Sequence, residues 1–125
     1  MRTISTPEAP LPAGHYSQAM VHQGLVFTAG QLPIDPADPE KPIGDATAQT
    51  EQALRNVAAV LQAAGSSLQQ VLQMTIYVSD MELWPEVNQT CARMFGEHRP
   101  ARAVVPTSEF RKGYQIEIQV IAATT

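Results

Sequence analysis

Residues 46–79 read ATAQTEQALRNVAAVLQAAGSSLQQVLQMTIYVS, and within them a helical pattern gives way to an alternating one. From Ala46 to Ala64, apolar side chains recur at the three- and four-residue spacing of one helix face, and Gly65 follows where a left-handed C-terminal cap is typical. From Val71 to Ser79, apolar and polar residues alternate, as in a strand with one covered face. The strand residues predicted to face the core are Leu72, Met74, Ile76 and Val78. The pattern therefore predicts a long amphipathic helix followed by a half-buried strand.

Two shorter strands are predicted before this helix. They run from Tyr16 to Val21 and from Leu25 to Gly30, and His22-Gln23-Gly24 between them is typical of a hairpin turn. Prolines cluster from Pro7 to Pro12 and from Pro33 to Pro42, which predicts rigid connections on both sides of the hairpin.

A second helix and two further strands are predicted after the first unit. The helix runs from Leu83 to His98, with Asp80 as its N-cap and Pro100 beyond its end. Its apolar stripe consists of Val87, Cys91, Met94 and Phe95. One strand contains Ala103 to Val105, and the other alternates from Gln115 to Ala122.

This order of elements predicts the fold class. Two helices on one face of a mixed or antiparallel sheet form a two-layer α+β sandwich, and 125 residues suffice for a single domain. The other face of the sheet then has no cover of its own. Its expected residues are Thr75, Tyr77, Gln115, Glu117 and Gln119. We therefore expect homo-oligomerisation through this face, closing as a ring with clefts between subunits.

Composition and charge disfavour several other classes of protein. Eight basic residues against twelve acidic ones give a formal net charge of −4, which is a poor basis for binding nucleic acid. The single cysteine, Cys91, excludes an intrachain disulfide and a cysteine-cluster metal site. The histidines have no partner at ligand spacing, so no metal site is predicted. No apolar run spans a bilayer and no secretory signal is recognisable, which predicts a cytoplasmic protein without a membrane partner.

Four residues stand out as candidates for chemistry: Arg102, Glu117, Tyr16 and Asn88. Arg102 opens an otherwise apolar strand, so its guanidinium must extend to solvent, form an ion pair or bind an anion. Glu117 is the only charged residue from Gly113 to Ala123. A salt bridge between Arg102 and Glu117 is one explanation; the other is that the arginine binds a substrate carboxylate while the glutamate activates water. Both explanations predict that the two side chains lie close together.

Several segments, in this order along nearly the whole chain, resemble the RidA family, also called the YjgF family. They are Gly14-His15-Tyr16-Ser17-Gln18, the stretch from Gly24 to Pro33, Gln52-Ala53-Leu54-Arg55-Asn56-Val57, Ala63-Ala64-Gly65, Pro100-Ala101-Arg102-Ala103-Val104-Val105 and the ending from Ile116 to Ala122. The resemblance implies one RidA-like domain over residues 1–125 with a chorismate-mutase-like fold, assembled as a homotrimer with its sites between subunits.

The resemblance also implies a function: hydrolysis of reactive 2-imino or enamino acids, such as 2-iminobutanoate and 2-iminopropanoate, to 2-keto acids and ammonia, with no cofactor. Arg102 aligns with the arginine that binds the substrate carboxylate, and Glu117 with the glutamate that positions water. Tyr16 and Asn88 align with other cleft residues, and the backbone at Gly30 and Val104 is expected to line the pocket. The chemistry agrees with this assignment. An imine is already electrophilic, so the protein needs only to bind the substrate carboxylate, position a water molecule and transfer a proton.

Some positions depart from the common family pattern and leave alternatives open. Ala29 replaces a frequent serine, and Ala103-Val104 replace a frequent Ser-Cys pair, which makes the pocket less polar. The pair Arg111-Lys112 lies in an unusual loop and could favour a dicarboxylate such as 2-aminomuconate. A ligand-binding or chaperone-like trimer without enzymatic activity is the other alternative.

Overall fold

A six-stranded sheet with two helices on one face forms the structure, a computed structural model that describes residues 1–124. The strands are β1 (Arg2–Ile4), β2 (Ala19–His22), β3 (Leu25–Thr28), β4 (Val71–Val78), β5 (Ala101–Pro106) and β6 (Ile116–Ala123), and the helices are α1 (Ala46–Ala63) and α2 (Trp84–Phe95). The strand order is β1-β2-β3-β6-β4-β5, and only β4 and β5 pair in parallel. The predicted two-layer α+β sandwich with a mixed sheet is confirmed.

Helix α1 begins and ends where its sequence pattern predicts. The Asp45 side chain accepts a hydrogen bond from the Ala48 N–H at 2.9 Å and so caps the helix. Beyond the C-terminus, Gly65 adopts a φ of +81°, which a residue with a side chain rarely takes. The side of the helix facing the sheet is fully buried, with Ala53, Leu54, Val57, Val60 and Leu61 at 0% exposure. This packing fixes one face of the sheet as the core.

Strand β4 contains a bulge that the alternating pattern did not reveal. Its pairing with β6 shifts register between Val71 and Gln73, so Val71 is buried while Leu72 is 50% exposed. The prediction that Leu72 faces the core was therefore wrong. From Met74 onward the predicted alternation is confirmed, since Met74, Ile76 and Val78 are buried and the residues between them are not.

The N-terminal hairpin is shorter than predicted. Gln23 and Gly24 both have positive φ, the geometry of a tight hairpin turn. However, β2 begins only at Ala19, so Tyr16 lies in the preceding loop, where its hydroxyl accepts from the Ala13 N–H at 3.4 Å. The strand β1 was not predicted, because three residues are too few to show a pattern.

The second helix is also shorter than predicted. Asp80 caps a 3₁₀ turn at Met81–Leu83 by accepting from the Glu82 N–H, and α2 itself begins at Trp84. It ends at Phe95 because Gly96 leaves helical geometry with a φ of +66°. His98 therefore lies beyond the helix, and its Nε2 is 2.8 Å from the Val71 carbonyl oxygen.

Two strands carry the candidate residues Arg102 and Glu117. Strand β5 is an edge strand, whereas β6 lies in the middle of the sheet between β3 and β4. Gln115 precedes β6, and its side chain accepts from Gln49 of α1 at 3.0 Å. The prediction that Gln115 belongs to the uncovered face was therefore wrong.

Candidate active site

Arg102 lies at the edge of the sheet with its guanidinium on the helix side. Its register partner on β4 is Met74, which is buried in the core, so the two side chains share a face. Arg102 Nη1 donates to Asn88 Oδ1 of α2 at 3.0 Å, and the guanidinium carbon lies 5.9 Å from the centre of the Trp84 ring. The guanidinium remains exposed, which leaves its other N–H groups available for an anion.

A groove of about 510 Å³ opens beside this arginine. Its lining includes Met74, Asn88, Cys91, Phe95, Pro100 and Arg102. Cys91 is buried, as predicted for a core residue, and desolvation raises the pKa of its thiol, an effect that the nearby Arg102 partly offsets. A thiol with a raised pKa is a poor nucleophile at neutral pH, so Cys91 is not a candidate nucleophile.

Glu117 lies on the opposite face of the sheet. Its register partner is Tyr77, which lies three residues after Met74 along β4. Because side chains alternate between the two faces of a strand, Tyr77 and Glu117 face away from Met74 and the helices. Burial raises the pKa of the Glu117 carboxyl above its usual value near 4.5. A half-buried carboxyl with a raised pKa suits proton transfer near neutral pH.

Gly30 provides the space that the Glu117 carboxyl occupies. A Cβ at position 30 would lie 2.9 Å from Glu117 Cδ and 3.0 Å from Oε2. The next residue, Gln31, is hydrogen bonded to Ile118 in both directions, which fixes the segment against β6. Within residues 1–124, the Gly30 peptide groups themselves make no hydrogen bond, so they remain available to a ligand beside the carboxyl.

The loop that carries Tyr16 leads to the same region. The Ala29 N–H donates to the Gln18 carbonyl at 2.8 Å, which extends the β2–β3 pairing toward Tyr16 on one side and Gly30 on the other. Tyr16 is 54% exposed. The structure thus places Gly30 beside Glu117, and Tyr16 lies in the loop that leads to the paired Gln18–Ala29 segment.

Within one chain, Arg102 and Glu117 are not close together, so the expectation that they are was wrong for a single chain. They lie on opposite faces, two strands and three residues apart, or roughly 14 Å between Cα atoms. No ion pair joins them among the described residues. Val104 pairs with Ile76 and lies on the arginine side, so the candidate residues of one chain fall into two separate groups. We call them the arginine half-site (Arg102, Asn88, Val104) and the glutamate half-site (Glu117, Gly30, Tyr16).

Trp84 is a site residue that the sequence analysis missed. It lies four residues before Asn88, a spacing that places both side chains on one helix face. The tryptophan precedes Pro85 at the start of a predicted helix, and its 40% exposure shows that it does not serve as core. The four-residue spacing could have drawn attention to it.

Neither a metal site nor a membrane span is evident in the part of the chain that the structure describes. Residues 1–124 contain no group of three or more histidine, cysteine, aspartate or glutamate side chains arranged to hold a metal ion. None of their helices is long and apolar enough to cross a membrane.

The sequence and the fold match one family. A family model described as Endoribonuclease L-PSP matches residues 6–124. The chain belongs to the RidA (YjgF) family. A RutC family protein of Pyrococcus horikoshii is 45% identical over 119 residues, which cover 95% of this chain and 94% of that protein. The 2-iminobutanoate/2-iminopropanoate deaminase of Escherichia coli K12 is 36% identical over 124 residues, which cover 97% and 96%. The RidA family therefore includes imine deaminases at moderate identity to this chain.

Solved structures of RidA family members share the fold throughout. The YjgF gene product of E. coli superposes with a TM-score of 0.93 at 35% identity, covering all of both chains. E. coli TdcF with bound serine gives a TM-score of 0.93 at 32% identity, again over both whole chains. The fold of this chain is therefore that of the YjgF proteins.

Proposed function

We propose that this RidA family member hydrolyses 2-imino and enamino acids, such as 2-iminobutanoate and 2-iminopropanoate, to 2-keto acids and ammonia. The proposal is supported by the kinship with a named imine deaminase and by the chemistry of the two half-sites. One half-site offers an exposed cation for a carboxylate, and the other offers a carboxyl that can accept and return a proton.

Arg102 is proposed as the carboxylate anchor. Its guanidinium can bind a carboxylate through two parallel N–H···O bonds, and Asn88 already occupies one donor at Nη1. Val104 lies on the same face of the sheet as Arg102, and its apolar side chain is proposed to bound this half-site for a short aliphatic substituent. Anchoring fixes the position of the imine carbon two bonds from the carboxylate oxygens.

Glu117 is proposed to place and activate the attacking water. The ionised carboxylate takes a proton from water while the water oxygen bonds to C2, and the carboxyl then gives this proton to the imine nitrogen. The carboxylate next takes the hydroxyl proton of the carbinolamine and passes it to the amino nitrogen, so that the C–N bond breaks, ammonia leaves and the hydroxyl oxygen becomes the keto oxygen. The Gly30 peptide groups and Tyr16 are available to orient the substrate beside the carboxyl.

One complete site requires two copies of the chain. Because the half-sites lie on opposite faces, a substrate held by Arg102 of one subunit can meet Glu117 only from another subunit. A closed ring in which each arginine half-site meets the next glutamate half-site satisfies every subunit, and the predicted homotrimer has this symmetry. The bare sheet face, with Phe27 at 43% exposure, offers an apolar surface for such a contact.

The observation that carries the proposal is the exposed Arg102 guanidinium held by Asn88, and the Glu117 carboxyl, whose pKa is raised by burial, is its proposed complement from another subunit. The test compares the wild type with Arg102→Ala in a coupled assay, where an amino acid oxidase generates the imine. We expect the variant to lose all acceleration of imine hydrolysis while the fold and the oligomer persist. An unchanged rate would remove the arginine from the mechanism.

Co-expression of two inactive variants tests whether each site is shared. Arg102→Ala and Glu117→Gln subunits, carrying different tags, form mixed oligomers in which a wild-type arginine can meet a wild-type glutamate. With random mixing in equal amounts, about one quarter of the sites are intact. Recovery to about a quarter of wild-type activity supports the shared site, whereas no recovery contradicts it.

A non-enzymatic ligand-binding role is the second candidate. It is favoured by the structure of TdcF with bound serine, an amino acid that also carries a carboxylate. Binding of 2-ketobutanoate without any acceleration of imine loss would favour this role. A nuclease function, which the description of the family model names, finds no support in a net charge of −4.

A further inference from the structure

The Arg102 side chain is held by one face of α2 rather than by an acidic partner. Two residues one helical turn apart contact its guanidinium, with Asn88 Oδ1 at 3.0 Å from Nη1 and the Trp84 ring centre at 5.9 Å from the guanidinium carbon. Among residues 1–124, no aspartate or glutamate lies within ion-pair distance of Arg102. An exposed arginine without such contacts would sample many rotamers.

The geometry points to Trp84 as a positioning residue for the substrate-binding arginine. The guanidinium lies over the Trp84 ring. A cation in this position is attracted by the electron density of the indole face. Asn88 binds one edge, and the remaining N–H groups stay available to the substrate carboxylate. This inference rests on the proposed function and adds a residue that the sequence analysis did not select.

The burial pattern argues against a purely structural role for Trp84. The side chain is 40% exposed and lies outside the hydrophobic core of the described residues, whereas the preceding Leu83 packs against that core. The surface that Trp84 leaves exposed is therefore not explained by packing into the core. Its contact with Arg102 is the interaction that the structure offers to explain its position.

Holding the guanidinium in advance improves binding, because less rotamer freedom is lost when the substrate arrives. A cation–aromatic contact at an exposed site is worth a factor of about two to five in binding. We therefore expect Trp84→Leu to raise the KM for 2-iminobutanoate by about two- to fivefold while kcat changes less. Trp84→Phe keeps an aromatic face and should recover most of the loss.

The chain contains a single tryptophan, which permits a sharper experiment. Growth on fluorinated tryptophans with one to three fluorine atoms labels only position 84 and withdraws electron density from the ring with almost no change of shape. KM for 2-iminobutanoate should rise stepwise with the number of fluorine atoms. A merely structural tryptophan would leave KM flat, and that result would overturn the proposal, even if Trp84→Leu failed to fold.

A measurement without substrate separates this proposal from the proposed function. Phenylglyoxal modifies accessible arginines, and peptide mapping gives the rate at Arg102 alone. We expect this rate to rise severalfold in Trp84→Leu and to stay unchanged in Met81→Leu, a matched control at an apolar residue that is 43% exposed. If the wild type fails to deaminate imines, the proposed function fails, but the modification rates still decide the positioning role. Equal rates in all three proteins would overturn that role.

Discussion

Replacing Gly30 by alanine moves the Glu117 carboxyl without touching the glutamate itself. The new Cβ would lie 2.9 Å from Glu117 Cδ, whereas ordinary contacts begin at 3.4 Å. The carboxyl must therefore retreat by roughly 0.5–1 Å, which is feasible because it is the free end of a flexible side chain. The perturbation is local to the glutamate half-site.

The expected effect is large on catalysis and small on stability. A misplacement of about 1 Å can cost about a hundredfold in rate, so we expect kcat to fall by roughly 10- to 100-fold. KM should change less than kcat, since the nearest atoms to the new Cβ belong to Glu117 and not to Arg102, the proposed carboxylate anchor. Alanine also restricts the unfolded chain by about 0.4–1 kcal/mol, which offsets the cost of the displaced side chain. The melting temperature should stay within a few degrees of the wild type.

The assay measures the rate of imine loss in the presence of an oxidase that supplies 2-iminobutanoate, together with thermal unfolding. Gly65→Ala is the matched control, because Gly65 has a φ of +81° and a Cβ added there would meet no atom within 4 Å. That variant should lose about 1 kcal/mol of stability and keep its kcat. If Gly30→Ala retained the wild-type kcat, the assignment of Glu117 as the water-positioning group would be refuted.

Two further predictions concern protonation and loop anchoring. Because burial raises the pKa of Glu117 and its ionised form accepts the proton from water, activity should fall on acidification at a pH above 4.5; a kcat/KM profile that stays level down to pH 4.5 would contradict it. Asn56 donates hydrogen bonds to the carbonyl oxygens of Leu32 and Ile34 at 3.0 and 2.9 Å. Asn56→Ala should therefore lower the free energy of unfolding, measured in urea, by about 2–4 kcal/mol. A decrease below about 0.5 kcal/mol would show that water replaces both hydrogen bonds.

Local patterns in the sequence were sufficient to predict the main elements. Helix α1 and strand β4 follow from periodicity, because their buried faces repeat at 3.6 and 2 residues. The bulge at Leu72 breaks this rule through a register shift with β6, a strand more than forty residues away. Interactions over such distances leave no trace in a short window of sequence.

The candidate site shows the same limit. Arg102 and Glu117 stood out by type and context, but the faces on which they lie depend on which residues of β5 and β6 pair with β4. Arg102 pairs with Met74 and Glu117 pairs with Tyr77, three residues further along β4. This odd offset places the two side chains on opposite faces, where they cannot form an ion pair within one chain. The contact of Trp84 with Arg102 likewise depends on how α2 packs beside the edge strand.

Under the proposed shared site, the separation of the two half-sites would make activity depend on the concentration of the protein. If one site draws a residue from each of two chains, a dilute sample of folded single chains holds every required group and no working centre. Near the concentration at which half of the chains are assembled, total activity then rises more steeply than the amount of chain. At such concentrations, loss of half the chains in a cell would cost more than half of the turnover.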